Sequence, residues 1–183
     1  MSVGDLLRRL LDELDAAAIP HMVTGSFAST YHGVPRSTQD LDIVVDPTPG
    51  NLDRLLAKLA PDDYYVDADV ARDALRRRSQ FNVIDLATGW KVDLIVRKAR
   101  AFSVEEFRRR EPAELFGAKV FVATAEDMII AKLEWAKLSD SDRQLRDAAG
   151  IVSVRGPALD RGYIESWVDS LDLVDQWTHI ESG

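Results

Sequence analysis

The sequence predicts an α+β fold, with a mixed sheet of four or five strands flanked by helices and then a C-terminal helical bundle. Up to residue 123, short apolar segments with strand composition alternate with segments of helical periodicity. From residue 124 onward, the apolar residues recur at helical spacing only. A chain of 183 residues is long enough for one substantial domain with a smaller addition. We therefore expect two parts, residues 1–123 and residues 124–183.

The elements can be placed in order along the chain. Leucines from Leu6 to Leu14 predict a first helix that ends before Pro20. The further predicted helices are Phe27–His32, Asn51–Leu59, Val70–Arg78, Phe102–Arg110, residues 124–138, residues 141–152 and much of Leu159–His179. The predicted strands are Met22–Thr24, Leu41–Val45, the two arms of a hairpin, FNVIDLA and WKVDLIV, and Lys119–Val122. Trp135, Trp167 and Trp177 are expected to lie in the core between the C-terminal helices.

Composition excludes several classes of protein. The net charge of −8 argues against strong binding to duplex DNA, which requires a basic field. The absence of cysteine excludes disulfides and thiolate metal sites. No apolar run approaches the ~20 residues of a membrane span, and charges interrupt the N-terminal helix, unlike a signal peptide. We expect a cytoplasmic protein without membrane contact.

Two aspartates stand out beside the apolar strand LDIVV: Asp40 lies immediately before the strand and Asp42 lies within it. Residues i and i+2 of a strand point to the same face, so Asp40 and Asp42 project together. Two carboxylates this close repel each other unless a cation lies between them. Hard oxygen ligands at this spacing suit Mg²⁺ or Mn²⁺. The alternative is structural, since an Asp-x-Asp pair at a strand end often begins a turn.

The hairpin carries a third carboxylate, Asp93, inside KVDLIV. If Thr88-Gly89 is a two-residue turn, Asp93 lies opposite Ile84 and shares a face with Lys91. Asp85 then lies on the other face of the hairpin. Asp93 could also be an ordinary ion-paired strand residue, but its occurrence with Asp40 and Asp42 favours a shared metal site.

Gly25 and Ser26 follow the first strand and precede a short helix. A glycine at this point lets the backbone approach a ligand, and the N–H groups of a helix N-terminus attract an anion. The order of the residues therefore predicts phosphate donors beside metal-binding carboxylates. Gly-Ser alone is a weak signal.

The segment TGSFASTYHGVPRSTQDLDIVVD resembles the signature of the DNA polymerase β-like nucleotidyltransferase superfamily. That signature has Gly-Gly or Gly-Ser, a spacer and Asp-x-Asp, with a third carboxylate on a later strand, here KVDLIV. The part YHGVPRSTQDLD is similar to the minimal bacterial nucleotidyltransferases, including AbiEii-type toxins. The helical segment TAEDMIIAKLEWAKLSDSDRQLRDAAGIV resembles uncharacterised relatives in that group.

The resemblance implies a nucleotidyltransferase core at residues 1–123 and a C-terminal helical subdomain at 124–183. It implies that Asp40, Asp42 and Asp93 bind two Mg²⁺ ions, with Mn²⁺ as a substitute, and carry the catalysis. It further implies that an NTP is bound by residues listed here: Gly25, Ser26, Arg36, Thr38, Lys132, Arg143 and Asp147.

Simpler interpretations of the last three residues stay open. Lys132 follows Ile129 and Ile130 on an amphipathic helix and could extend to solvent. Arg143 and Asp147 are an i,i+4 pair of opposite charge that could merely stabilise a helix.

The implied activity is Mg²⁺-dependent transfer of NMP from an NTP to a hydroxyl of RNA, such as a tRNA end, or of a protein. Toxin-type relatives make a toxin–antitoxin setting, with an antitoxin partner, one hypothesis. The alternatives are a non-catalytic antitoxin or nucleotide-sensing module of the same fold, and an adenylyltransferase of small molecules such as antibiotics.

Overall fold

The computed structural model of the protein describes residues 2–35 and 40–182. The helices are α1 (Val3–Ala16), α2 (Gly25–His32), α3 (Pro49–Lys58), α4 (Ala68–Arg77), α5 (Ala101–Arg109), α6 (Ala125–Ser139), α7 (Asp142–Arg155), α8 (Arg161–Ser170) and α9 (Val174–Glu181). The strands are β1 (His21–Thr24), β2 (Asp40–Val45), β3 (Tyr64–Tyr65), β4 (Gln80–Asp85), β5 (Lys91–Val96), β6 (Glu111–Leu115) and β7 (Ala118–Val122). Among the described residues, no helix has both the length and the apolar character that crossing a membrane requires.

The strands form one mixed sheet, which confirms the predicted fold class. Within the described ranges the sheet has seven strands in the order β3-β4-β5-β2-β1-β7-β6, so the predicted count of four or five is wrong. The missed strands lie at the two edges. β3 has only two residues, and β6 reads EPAEL, whose proline and glutamates are poor strand formers that an edge position tolerates.

The hairpin of β4 and β5 is closed by a longer loop than predicted. Asp85 pairs with Trp90, because the Asp85 N–H donates to the Trp90 carbonyl at 2.9 Å. The Asp85 carboxylate also accepts from the N–H and the hydroxyl of Thr88, which fixes the loop. Asp93 therefore lies opposite Asn82 and not opposite Ile84. The register shifts by two residues, so every side chain keeps its predicted face.

The two faces of the sheet bury different cores. One face packs against α1, α3 and α4 through apolar residues such as Leu10, Leu52 and Val92. The other face packs against α5 and the C-terminal helices, and its cluster joins Met22 and Val44 to Ile129 and Trp177. The alternation of a strand explains this division, because Ile43 and Val44 point to opposite sides.

The C-terminal helices begin immediately after the sheet. β7 ends at Val122, and Thr124 caps α6 by accepting the Asp127 N–H at 3.2 Å, as its sequence predicts. The helices α6 and α7 share a core with the strands. We therefore propose the predicted division after residue 123 as the point where the chain changes from mixed to helical structure.

Candidate functional site

Parallel pairing of β2 with β5 brings the predicted carboxylates together. Asp42 lies directly beside Asp93, and Asp40 lies beside Lys91. On the other side of β2, Thr24 at the end of β1 is paired with Asp42. Residues paired across neighbouring strands point to the same face. Asp40, Asp42 and Asp93 therefore form one acidic patch at the edge of the face that carries the C-terminal helices.

A lysine that the sequence analysis did not assign to the site lies within this patch. Lys91 Nζ is 3.1 Å from Asp93 Oδ2 and 3.7 Å from Asp40 Oδ1. Its hydrogen bond to Asp93 raises the pKa of the Lys91 ammonium. In these side-chain positions, no three or more His, Asp or Glu residues within ranges 2–35 and 40–182 are arranged to enclose a metal ion. Lys91 instead supplies the positive charge that the carboxylates need.

Lys91 compensates the charge of the carboxylates only in part. Burial raises the pKa of Asp42, and the neighbouring Asp93 and Asp40 raise it further, against the opposing effect of Lys132. Asp93 is 8% exposed, and its Oδ1 is buried without a hydrogen-bond partner among the described groups. A buried carboxylate oxygen without a partner is costly unless a ligand satisfies it. By its chemistry, an unsatisfied carboxylate oxygen beside a second carboxylate suits a hard divalent cation, although the side chains would have to rearrange to enclose it.

Gly25 cannot be replaced by a larger residue in this arrangement. Its φ of +63° lies in the left-handed region, which L side chains rarely adopt. A Cβ on Gly25 would lie 2.0 Å from Asp42 Oδ2, far inside any allowed contact. The helix α2 therefore starts in direct contact with the Asp42 carboxylate, and a backbone hydrogen bond from Ser26 to Asp42 holds that contact.

An open cleft of about 630 Å³ lies above the acidic patch. Its walls join the start of α2, the strands β2 and β5, and the helices α6 and α7. The predicted site residues among its lining are Gly25, Ser26, Asp40, Asp42, Asp93, Lys132 and Arg143. The fold thus brings together residues that are more than a hundred positions apart in sequence.

Lys132 is buried in the wall of the cleft. It is 4% exposed, and its Nζ donates to Asp147 Oδ2 at 2.9 Å. The interpretation of Lys132 as a lysine that extends to solvent is therefore wrong. Asp147 itself lies behind Lys132 on α7 and does not line the cleft. We propose that Asp147 positions Lys132 and does not itself contact a ligand in the cleft.

Trp135 differs from its prediction as a core residue. It is 56% exposed and lines the cleft, whereas Trp177 is buried as predicted. Met128, Lys132 and Trp135 are spaced i, i+4 and i+7, so they share one face of α6. That face is turned to the cleft, while Ile129 and Leu133 point into the core.

Other site residues either fall outside the described ranges or were not predicted. Arg36 and Thr38, predicted to bind the NTP, lie outside the described residues. Gln80 and Gln144 line the cleft and were not predicted. No pattern marks Gln80, since an isolated glutamine on a strand is an ordinary surface residue. Gln144 lies between Arg143 and Asp147 in the helical segment that carries the resemblance, and the position of that segment against the cleft could have pointed to it.

Comparisons with known proteins support the fold. No protein-family model and no curated protein sequence matches the chain. Solved structures do match. ANT(2″)-Ia in complex with adenylyl-2″-tobramycin superposes with a TM-score of 0.60 at 13% identity, covering 92% of this chain and 96% of that one.

Two further structures agree with this result. An antigenic nucleotidyltransferase-like protein from Paracoccidioides brasiliensis has a TM-score of 0.58 at 17% identity, with 98% of this chain and 90% of that chain covered. The lincomycin-bound lincosamide antibiotic adenylyltransferase LnuA has a TM-score of 0.52 at 11% identity, with 84% of this chain and 98% of that chain covered. The chain therefore has the polymerase β-like nucleotidyltransferase fold, as predicted.

Proposed function

We propose that the protein is a Mg²⁺-dependent nucleotidyltransferase that transfers NMP from an NTP to a hydroxyl acceptor. The observation that carries the proposal is the pairing of Asp42 with Asp93 directly beside Gly25. A buried carboxylate with an unsatisfied oxygen, Asp93, beside a half-buried one, Asp42, is costly for folding, so a ligand that offsets this cost is the simplest explanation. The shared fold with structures described as nucleotidyltransferases supports the same conclusion.

In the proposed reaction, the acceptor hydroxyl oxygen attacks the α-phosphorus of the NTP. The new O–P bond forms as the bond to the β-phosphate oxygen breaks, and pyrophosphate leaves. The hydroxyl proton would pass to the carboxylate of Asp93, the most buried of the three carboxylates. The proposal therefore positions the acceptor on the side of Asp93.

The carboxylates would hold the metal. Asp40 and Asp42 would bind both ions, and Asp93 would share the one nearest the acceptor. Bound Mg²⁺, or Mn²⁺ in its place, supplies positive charge that neutralises the phosphates and lowers the pKa of the attacking hydroxyl. The Lys91 ammonium must then move away from Asp93 and Asp40, which its half-exposed side chain permits.

The triphosphate would be bound at the start of α2 and along α6. The backbone of Gly25 and the hydroxyl of Ser26 lie at the N-terminus of a helix, where the helix dipole attracts anions. Lys132 would contribute a charge from the opposite wall, held in place by Asp147 at 2.9 Å. Arg143 lines the same wall, and Arg36 and Thr38 stay predicted contributors.

The acceptor and the biological setting are proposed from the resemblance and from the shared fold. An RNA end such as that of tRNA, or a protein, remains our first hypothesis. The resemblance to AbiEii-type sequences supports a toxin, with an antitoxin as its partner. The main alternative is a small-molecule adenylyltransferase, since solved structures of the same fold include LnuA, an antibiotic adenylyltransferase.

A labelled-nucleotide assay tests the proposal. The protein is incubated with each of the four α-labelled NTPs, Mg²⁺, and either total tRNA, a protein lysate or an antibiotic panel. We expect label on one class of acceptor, loss of on the order of 10³-fold in rate for Asp42→Asn, and no label without a divalent cation. Transfer to tobramycin or lincomycin alone would favour the small-molecule alternative.

Asp53→Asn is the matched control for this assay. Asp53 is an exposed aspartate on α3, on the opposite side of the sheet, where it pairs with Arg72 at 3.0 Å. Its loss changes the net charge by the same amount and should leave transfer unaltered. If wild type and Asp42→Asn behave alike, with neither NTP binding nor transfer, the protein is a non-catalytic module of the same fold.

A further inference from the structure

A second groove adjoins the cleft, and no function has yet been assigned to it. It has a volume of about 340 Å³ and runs past the ends of β4 and β5 and along α6. The groove and the cleft share lining residues, among them Gln80, Ile95 and Trp135. Ile95 follows Asp93 on the same face of β5, so the groove opens at the most enclosed of the three carboxylates.

The groove is positively charged, although the chain carries a net charge of −8. Its lining among the described residues has four cationic side chains, Arg78, Arg97, Lys98 and Arg100, of which Arg97 pairs with Asp46 at 2.9 Å. The acidic residues of the lining are Glu134, which is ion-paired with Arg100, and Glu106. Burial raises the pKa of Glu106 to about 8, so this carboxyl is mainly neutral near pH 7. A local cationic surface on an acidic protein indicates an anionic ligand.

Apolar side chains lie exposed along one wall of the same groove. Trp135 is 56% exposed and Leu138 is 71% exposed, and both belong to α6. An exposed tryptophan beside basic residues is the combination with which proteins stack the bases of single-stranded nucleic acids. A flexible polycation such as an aminoglycoside would be repelled by the basic side chains of the groove, which disfavours its binding.

We propose that this groove binds the acceptor, and that the acceptor is the single-stranded end of a nucleic acid whose phosphates face Arg78 and Lys98 and whose terminal base stacks on Trp135. The assignment rests on the proposed function, because it places the terminal hydroxyl beside Asp93. It selects a nucleic-acid end over a cationic antibiotic or a protein.

The groove can be tested by binding, independently of catalysis. Fluorescence anisotropy measures the affinity of a labelled single-stranded RNA with a free 3′ hydroxyl for the full chain at fixed salt. We expect Lys98→Glu combined with Arg78→Glu to weaken binding about tenfold or more and to make it less salt-dependent. Lys98→Gln with Arg78→Gln should give an intermediate loss, and thermal melts verify that each variant is folded.

Two charge reversals outside the groove serve as controls. Arg76 lies in the same arginine run as Arg78 but does not line the groove, and Lys119 is exposed on β7. Arg76→Glu with Lys119→Glu changes the net charge by the same amount, and it should alter RNA affinity by no more than roughly twofold. Trp135→Ala should weaken binding of the RNA more than binding of an abasic strand of the same length.

Several results would overturn the assignment. The first is that the wild type does not bind RNA. The second is that the groove variants and the control variants lose equal RNA affinity. The third is that AMP or tobramycin displaces the RNA at micromolar concentration. Tighter binding of a duplex than of the single strand would also contradict the proposal. A single-stranded DNA of the same sequence shows whether the groove distinguishes the two sugars. If RNA binds in the groove but no NTP is ever transferred, the proposed function fails while the binding site stands.

Discussion

Two buried acidic sites lie on the same side of the sheet and are built in opposite ways. Asp127, on α6, is fully buried, and its carboxylate accepts hydrogen bonds from Thr124 at 2.7 Å, Tyr163 at 2.6 Å and Arg109 at 3.1 Å. Asp93 is also buried and Asp42 is half-buried, yet the two lie side by side and Asp93 has an unsatisfied oxygen. The first site is complete without a ligand, and the second is not.

The difference separates a structural carboxylate from one that is available for binding. Fully paired buried charges are expensive to break, whereas buried like charges destabilise the fold that contains them. We therefore expect substitutions at Asp127 to affect stability, and substitutions around Asp42 to affect ligand binding. The following predictions test this contrast, from the largest expected effect to the smallest.

Removing the complete site should cost the most stability. Asp127→Ala leaves Arg109 and the Tyr163 hydroxyl without their buried acceptor, so we expect the free energy of unfolding to fall by about 3 kcal/mol. Urea denaturation measures the loss, and Asp53→Ala, at an exposed ion pair, is the control. A loss below about 1 kcal/mol for Asp127→Ala would show that the network around it contributes little.

A methyl group at Gly25 should damage both stability and the site. Gly25→Ala must adopt a positive φ at a cost of about 1–2 kcal/mol, and its Cβ must displace the Asp42 carboxylate. We expect a lower melting temperature together with loss of NTP binding, measured by calorimetry. Gly117→Ala is the control, since Gly117 also has positive φ but nothing lies within 4 Å of its Cβ position. NTP binding that survives in Gly25→Ala would contradict the assigned contact.

Glu106 is a third buried carboxyl, and it should make stability depend on pH. Burial raises its pKa from 4.5 to about 8, so the folded state holds the proton more tightly than the unfolded state does. Its contribution to stability is complete below pH 4.5 and is lost as the pH rises through about 8. Glu106→Gln should therefore melt close to wild type at pH 5, and at pH 9 it should be more stable by about 1 kcal/mol or more. Parallel melting curves at all pH values would contradict this.

Lys91 should compete with a divalent cation for the same carboxylates. Lys91→Met removes a positive charge 3.1 Å from Asp93, so Mn²⁺ affinity measured by electron paramagnetic resonance should rise roughly two- to fivefold. Lys119→Met, at an exposed position on β7, should leave the affinity unchanged. Weaker Mn²⁺ binding in Lys91→Met would show that Lys91 supports the metal site.

The sequence was most informative where a residue type contradicted its surroundings. Aspartates inside apolar strands predicted Asp40, Asp42 and Asp93 as one acidic patch, because the two-residue repeat of a strand fixes the face of each side chain. The face of Asp93 survived a wrong hairpin register for the same reason. The phosphate-binding role of Gly25 and Ser26 stays a prediction.

Other features could not be predicted from local pattern. Lys91 is an ordinary residue at a strand start, and only the parallel pairing of β2 with β5 places it beside Asp40. The apolar residues of α6 are spread around the helix and do not mark a single buried face. The exposure of Trp135 therefore depends on which face of α6 the sheet covers. The edge strand β6 contains a proline and glutamates, and its existence depends on pairing with β7.

Thermal unfolding of Asp42→Asn, with and without Mn²⁺ and ATP, tests the central claim most directly. Without ligand, we expect the variant to melt at or above the wild-type temperature, because a half-buried carboxylate that is repelled by Asp93 is removed. With Mn²⁺ and ATP, only the wild type should gain stability. A variant that is stabilised by the ligands as much as the wild type, or that is markedly less stable alone, would contradict the account.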